Sequence, residues 1–274
     1  MEELLTQLKL GRIREVYREW VDRASKEEMS YADFLRGLLS EEMCARQENQ
    51  IRRRMQQASF PFEKTIEQFD FSLRPELKRQ VILNCMDETF VHQGRSMVLI
   101  GPPGTGKTHL SVAVGIKMIQ LGYIVKFLMA QRLINEYVGF KNPSDRQKLM
   151  RSLAKVDLLI IDEFGYLPHD KEAGSLFYQV ISDRYERKGT IITSNKGLRS
   201  WAEVIHDSSL ATALIDRLMH HGEVFYLSGN SYRLRGKKKL LEDNVSAPDL
   251  GAEPKSVLPL VGGTTVEMTD CQIK

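Results

Sequence analysis

The chain has 274 residues, 42% hydrophobic and 27% charged, with a formal net charge of +3. That length allows one sizeable α/β core with a small accessory domain. It holds no apolar run near the roughly 18 residues of a membrane span and no basic start leading into an apolar stretch, so neither a membrane protein nor a secreted one is expected.

Residues 1–58 read as a helical N-terminal domain. Leu5, Leu8, Ile13, Val16 and Trp20 recur at near-helical spacing, interrupted by Gly11. "SYAD" at 30–33 predicts a helix start capped by Ser30. Tyr31, Phe34, Leu35, Leu38 and Leu39 follow as an apolar stripe. The run Arg52, Arg53 and Arg54 is either a solvated face or a phosphate contact. Residues 59–75 are rich in aromatics between two prolines and read as a linker.

From 76 to 238 helices and strands alternate, which implies a parallel sheet covered on both faces. The strands are expected at 97–100, 123–128, 157–162, 190–195 and 223–227. Residues 239–274 have prolines, glycines and no periodicity, and read as a flexible tail. Residues 240–274 carry six acids against two lysines, which leaves the rest of the chain about seven positive. That surplus permits nucleic-acid binding. Cys44, Cys85 and Cys271 match no metal spacing and fit free thiols in a reducing cytoplasm. His220 and His221 are adjacent. Neighbours on a helix point in different directions, so no metal site is expected there.

"GPPGTGKTH" at 101–109 carries the chemistry. It fits the phosphate-loop pattern through Gly101, Gly104, Gly106, Lys107 and Thr108, between a strand and a helix. Pro102, Pro103, Thr105 and His109 complete the candidate nucleotide-binding stretch. Glycines let backbone N–H groups turn inward at phosphates, and the following helix adds its positive end. Lys107 is expected to reach the β- and γ-phosphates, and Thr108 to ligate Mg²⁺. "DLLIIDE" ends a buried strand in two acids: Asp162 for the metal and Glu163 to polarise the attacking water. Asn195, at the tip of "TIITSN", is a candidate for holding that water. "SNKG" lacks the carboxylate of a guanine reader, which favours ATP. Arg217 is the candidate for the arginine that completes the site from a neighbouring subunit, against a plain surface salt bridge with Asp216 or another nearby residue. Arg233 is a second candidate for phosphate.

In this order, GPPGTGKT, LLIIDE, TIITSN and IDRL resemble an AAA+ ATPase. "LLIIDEFGYLP" and "GNSYR", with "FPFEKTIEQFDF" ahead of the core, resemble the IstB family of ATP-binding helpers encoded beside transposases. The resemblance implies an α/β AAA+ P-loop NTPase with a five-stranded parallel sheet, a small all-α N-terminal domain, and a lid absent or vestigial. It also implies ATP and Mg²⁺ as cofactors, and partners that include double-stranded DNA, a cognate transposase and further copies of the chain, with residues 1–58 serving self-association or DNA contact. A helical insert at about 131–154 would face DNA through Arg132, Lys141, Arg146, Lys148 and Arg151, or present a solvated face instead. No base-reading pattern is visible, so contact with DNA is expected to be sequence-independent and salt-sensitive. The alternative is a replicative helicase loader like DnaC and DnaI, which uses the same core. A module that binds ATP without turning it over is the third reading, opposed by Glu163 and Asn195.

Overall fold

The computed structural model describes residues 1–165, 171–229 and 231–232. Three helices open the chain: α1 (Glu2–Gln7), α2 (Gly11–Lys26) and α3 (Tyr31–Ala58). The periodicity from Leu5 to Trp20 is thus shared by two helices. Lys9, at φ 55°, turns the chain between them, and Gly11 starts α2. The first amides of α2 lack intrahelical acceptors. Glu42 of α3 supplies one, accepting from the N–H groups of Arg12 at 2.9 Å and Ile13 at 3.2 Å. Its other oxygen accepts from Arg46 Nε at 2.8 Å. Burial works to raise the pKa of Glu42, but Arg46 and the two amides outweigh it and hold the carboxyl below its usual range.

Ser30 caps α3 as its sequence predicts, accepting from the N–H of Asp33 at 3.2 Å. Leu5, Ile13, Val16 and Leu38 form the small core of this region, with Trp20 and Phe34 against it. The stripe on α3 divides. Leu38 is buried, whereas Tyr31, Leu35 and Leu39 face solvent, because α1 and α2 cover only one side of the helix. With 28 residues, α3 is about 42 Å long and outruns that core. Its last turns, through Ile51, Met55 and Ala58, join the main core.

After α4 (Arg79–Asn84) and α5 (Glu88–His92), strands and helices alternate: β1 (Ser96–Ile100), α6 (Lys107–Gln120), β2 (Val125–Met129), α7 (Ala130–Gly139), α8 (Pro143–Lys155), β3 (Leu158–Asp162), α9 (Lys171–Arg184), β4 (Gly189–Ser194), α10 (Trp201–Ile205), α11 (Ser208–His220) and β5 (Gly222–Tyr226). The five strands form one sheet in the order β2-β3-β4-β1-β5. Every pairing is parallel. Each strand lies within two residues of its expected span, and α7 and α8 occupy the place of the expected insert.

Alternation along the strands builds two cores. Met97, Leu99, Leu158, Ile160 and Ile191 face α4, α5, α6 and the end of α3. Val98, Ile100, Leu159, Ile161 and Ile192 face α7 to α11. Arg184, buried at the end of α9, ties the starts of β3 and β4 together. It donates to the carbonyls of Leu153, Val156, Asp157 and Gly189, and burial lowers its pKa to about 10. It remains a cation at neutral pH. Among the described residues no helix is long and apolar enough to cross a membrane.

Removing the charge of Glu42 tests the helical region. Glu42→Gln should cost about 1.5–3 kcal/mol, the range for hydrogen bonds to a charged group, read as a lower midpoint in thermal or urea unfolding at pH 7. The Glu42 pKa is lowered in the folded chain. Its contribution is therefore complete above the ordinary carboxyl range and is lost as pH falls through the folded value. The gap between wild type and variant should shrink on acidification.

Candidate nucleotide site

The register of the sheet places the acids. Asp162 at the end of β3 follows Leu158 and Ile160 by even steps, so it faces α6. Thr193 in β4 follows Ile191 in the same way. It sits level with Leu99 of β1. The Thr193 hydroxyl donates to Asp162 Oδ1 at 2.5 Å and accepts from the N–H of Glu163 at 3.0 Å. Glu163 takes φ 60°, which ends the strand and leaves its side chain exposed. One threonine thus orients both acids.

The loop after β1 has left-handed backbone at Gly104 (φ 79°) and Gly106 (φ 102°). A Cβ on Gly104 would come within 2.0 Å of Ser231 Oγ, and one on Gly106 within 2.7 Å of Phe69 Cε2. Lys107 Nζ donates to the carbonyls of Gly101 at 2.7 Å and Pro102 at 2.8 Å, which holds the ammonium over the loop. The Thr108 hydroxyl lies 3.1 Å from both carboxylate oxygens of Asp162. Adjacent ligands of octahedral Mg²⁺, each at 2.0–2.1 Å from the ion, stand about 2.9 Å apart. These two side chains therefore fit the cation that accompanies a nucleotide.

Beside the loop is a cavity of about 230 Å³. Gly104, Gly106, Lys107 and Thr108 form one wall. The linker forms another, through Phe62, Lys64, Gln68 and Phe69. His109 lies edge-on to Phe62 and Phe69, with Nε2 2.9 Å from the carbonyl of Thr65. Burial, helped by Lys64 and opposed by that carbonyl, lowers its pKa, so His109 presents a neutral ring. Aromatic walls beside a phosphate cradle suit a flat base.

Several of these residues escape a reading of the sequence. Arg74 is buried, donating from Nε to the carbonyl of Thr105 at 3.1 Å, with its guanidinium 5.0 Å from the Tyr232 ring centre. Tyr232 donates its N–H to the carbonyl of Gly104 at 2.9 Å and its hydroxyl to the carbonyl of Asp70 at 2.7 Å. Ser231 and Tyr232 on one side and the linker on the other therefore close on the phosphate loop. The linker's signal was its aromatics, since a solvated loop does not concentrate them. Arg74 had none.

Of the remaining candidates, Asn195 lies near the acids and the others are spread over the molecule. Asn195 follows β4, and its Oδ1 is buried without a hydrogen-bond partner among the described residues. A Cβ on Gly165 would come within 1.9 Å of that oxygen. Arg217 lies on α11, stacked 4.7 Å over Tyr178 and donating to the carbonyl of Ala213 at 3.1 Å. No ion pair joins it to Asp216 among the described residues. Arg52, Arg53, Arg132, Lys141, Lys148 and Arg151 are exposed, and Arg54 is half-buried. Lys148 pairs with Asp145 at 2.8 Å, and Arg151 donates to Gln147. Arg146 is engaged locally, pairing with Glu172 at 3.3 Å and stacking over Tyr137. Arg233, the lid and the tail fall outside the described residues.

A family model described as IstB-like ATP binding protein matches residues 3–240. The chain belongs to this family. It is 38% identical over 239 residues to an insertion sequence IS21 ATP-binding protein of Pseudomonas aeruginosa, covering 87% of this chain and 90% of the relative. A similar match, 37% identical and covering 87% and 95%, is to the insertion sequence IS5376 ATP-binding protein of Geobacillus stearothermophilus. Among solved structures, AMPPCP-bound DnaA from Aquifex aeolicus aligns with a TM-score of 0.53 at 20% identity, over 68% of this chain and 56% of its own. DnaI aligns with a TM-score of 0.52 at 16% identity, over 60% and 91%. At such identities the likeness concerns the fold. This chain is therefore an IstB-like ATP-binding protein.

Gly106→Ala tests the cradle. The new methyl meets Phe69 and a backbone conformation that alanine resists. A fluorescent ATP analogue should bind the variant at least roughly tenfold more weakly, a loss of about 1.4 kcal/mol, with the circular dichroism spectrum unchanged. Equal affinity would mean that the base and phosphates sit elsewhere.

Proposed function

We propose that this IstB-like protein is an ATPase that assembles on double-stranded DNA and assists a partner transposase. The position of Arg217 carries the reading. β5 starts at Gly222, level with Ser96 at the start of β1, whereas the phosphate loop follows Ile100 at its end. Arg217 lies five residues before Gly222, toward the opposite edge of the sheet from its own loop. It reaches phosphate only in another copy of the chain. A guanidinium held on an aromatic face keeps its planar fork oriented for phosphate oxygens.

In the assembled site, Lys107 and the loop amides bind the phosphates, and Thr108 and Asp162 hold Mg²⁺. The ion, when bound, neutralises charge on the β- and γ-phosphate oxygens. Glu163 polarises the attacking water and accepts its proton, and Asn195 positions that water. ATP binding favours the oligomer on DNA, and hydrolysis releases it. The N-terminal helices support self-association: Tyr31, Leu35, Leu39 and Met43 repeat every four residues along α3, all exposed. Exposed cations on α3, α7 and α8 supply phosphate contacts with DNA. A helicase loader would use the same core, but the curated relatives at 37–38% identity carry insertion-sequence names, which favours transposition.

Light scattering with duplex DNA should show large complexes with ATP and not with ADP. They should persist in Glu163→Gln, whose hydrolysis falls by roughly 10²–10⁴. Arg217→Ala should lose roughly 10³–10⁵ in rate. Mixing the two inactive variants should restore part of the activity, because some interfaces then combine an intact Glu163 with an intact Arg217. No recovery on mixing, with mixed oligomers shown to form, would sink the shared site. If duplex DNA is ignored and a replicative helicase is bound instead, the loader reading replaces this one.

A further inference from the structure

A second cluster lies at the opposite edge of the sheet, where α9 and α11 end. The adjacent pair His220–His221 does not diverge as two helical residues would. His221 is the cap residue of α11, with φ −124° and ψ 34°. It leaves the helix, and the two ring centres stand 4.1 Å apart. Both rings meet Glu186 from the turn after α9. Its Oε1 is 3.6 Å from His220 Nδ1 and 3.1 Å from His221 Nε2. Glu186 has φ 58°, a left-handed position that helix ends usually give to glycine or asparagine. The Tyr185 hydroxyl lies 2.5 Å from His220 Nδ1.

We propose that Glu186, His220 and His221 form a binding site for a divalent transition-metal ion of the zinc type. The three ligand atoms lie within 4.8 Å of one another. Atoms bound to one tetrahedral ion at 2.0–2.1 Å stand about 3.3–3.4 Å apart, and the two observed separations bracket that value. Two imidazoles and one carboxylate form a borderline donor set that suits Zn²⁺, Co²⁺ or Ni²⁺, whereas Mg²⁺ prefers oxygen ligands and retained waters. The three side chains are about half exposed, at 45–55%, so water can complete the coordination. The ion replaces the protons that now join these groups. It also bridges the end of α11 to the turn leading into β4, three residues from Arg217.

The test uses the untagged full chain without nucleotide, in excess Mg²⁺, titrated calorimetrically with Zn²⁺ and followed by visible absorption with Co²⁺. The expected result is one ion per chain, a tetrahedral Co²⁺ spectrum and a higher melting midpoint with Zn²⁺. Glu186→Gln should weaken binding roughly tenfold or more, and His220→Ala combined with His221→Ala should abolish the Co²⁺ spectrum. Equal titration of wild type and both variants would place the ion elsewhere and overturn the assignment. So would the absence of Zn²⁺ binding over the Mg²⁺ background. Glu186→Gln is nearly isosteric and exposed, so it keeps the test valid if the double variant folds poorly.

Discussion

A hydroxyl in the middle of the sheet sets the geometry of the candidate nucleotide site. Thr193 sits on β4, between β3, which carries the acids, and β1, which leads into the phosphate loop. Through one oxygen it donates to Asp162 and accepts from the backbone of Glu163. Asp162 then accepts from Thr108, at the first turn of α6. Two strands and a helix are thereby joined by short polar contacts in a region otherwise filled with aliphatic side chains. A buried polar atom left without its partner costs about 1–3 kcal/mol, so the chain of contacts holds together or fails together. That is why the acids can stay fixed while Glu163, on a left-handed residue, projects into solvent.

A second constraint comes from outside the sheet. The segment between α3 and α4 is a linker by composition, yet it builds one wall of the cavity beside the phosphate loop. Phe69 occupies the space a side chain at position 106 would need, and Ser231 the space at position 104. The glycines of the loop serve two demands at once: an inward-turned backbone for phosphates, and close approach of the segments that enclose it. Arg74 connects these layers, with its Nε on the loop and its guanidinium over Tyr232. Its cation donates to the carbonyls of Thr105 and Leu73, so it ties the enclosing segment to the loop.

The sheet was legible because its evidence is local. Apolar runs punctuated by glycines and caps mark strands, and a phosphate loop has a fixed spacing. Asp162 and Glu163 stood out as two acids ending an apolar strand. What depends on distant parts of the chain was not legible. Whether Leu35 or Leu38 is buried depends on how far α1 and α2 reach around α3. Arg146 reads as one more exposed cation until Glu172 and Tyr137 are seen beside it. The two adjacent histidines show the same limit most directly. Helical spacing says they diverge, but the helix ends at His220, and a single non-helical residue returns the second ring to the first.

The two edges of the parallel sheet carry different tasks for a structural reason. At the carboxyl ends of the strands the chain leaves through loops that can curl around a ligand, and there the loop, the acids and Asn195 collect. At the opposite edge the chain enters the strands from helix ends, and α11 delivers Arg217 and then His220 and His221 just before β5. A parallel strand separates its two ends by its full length, here five residues in β1, or about 13 Å. No side chain on the entering edge can serve the loop of its own sheet. Groups placed there are free to face a neighbour or a bound ion, as proposed for Arg217 and the histidine pair. In the proposed assembly the stiffness of the last turn of α11 would become a property of the neighbour's phosphate site, because the same turn presents the arginine and ends in the histidine pair.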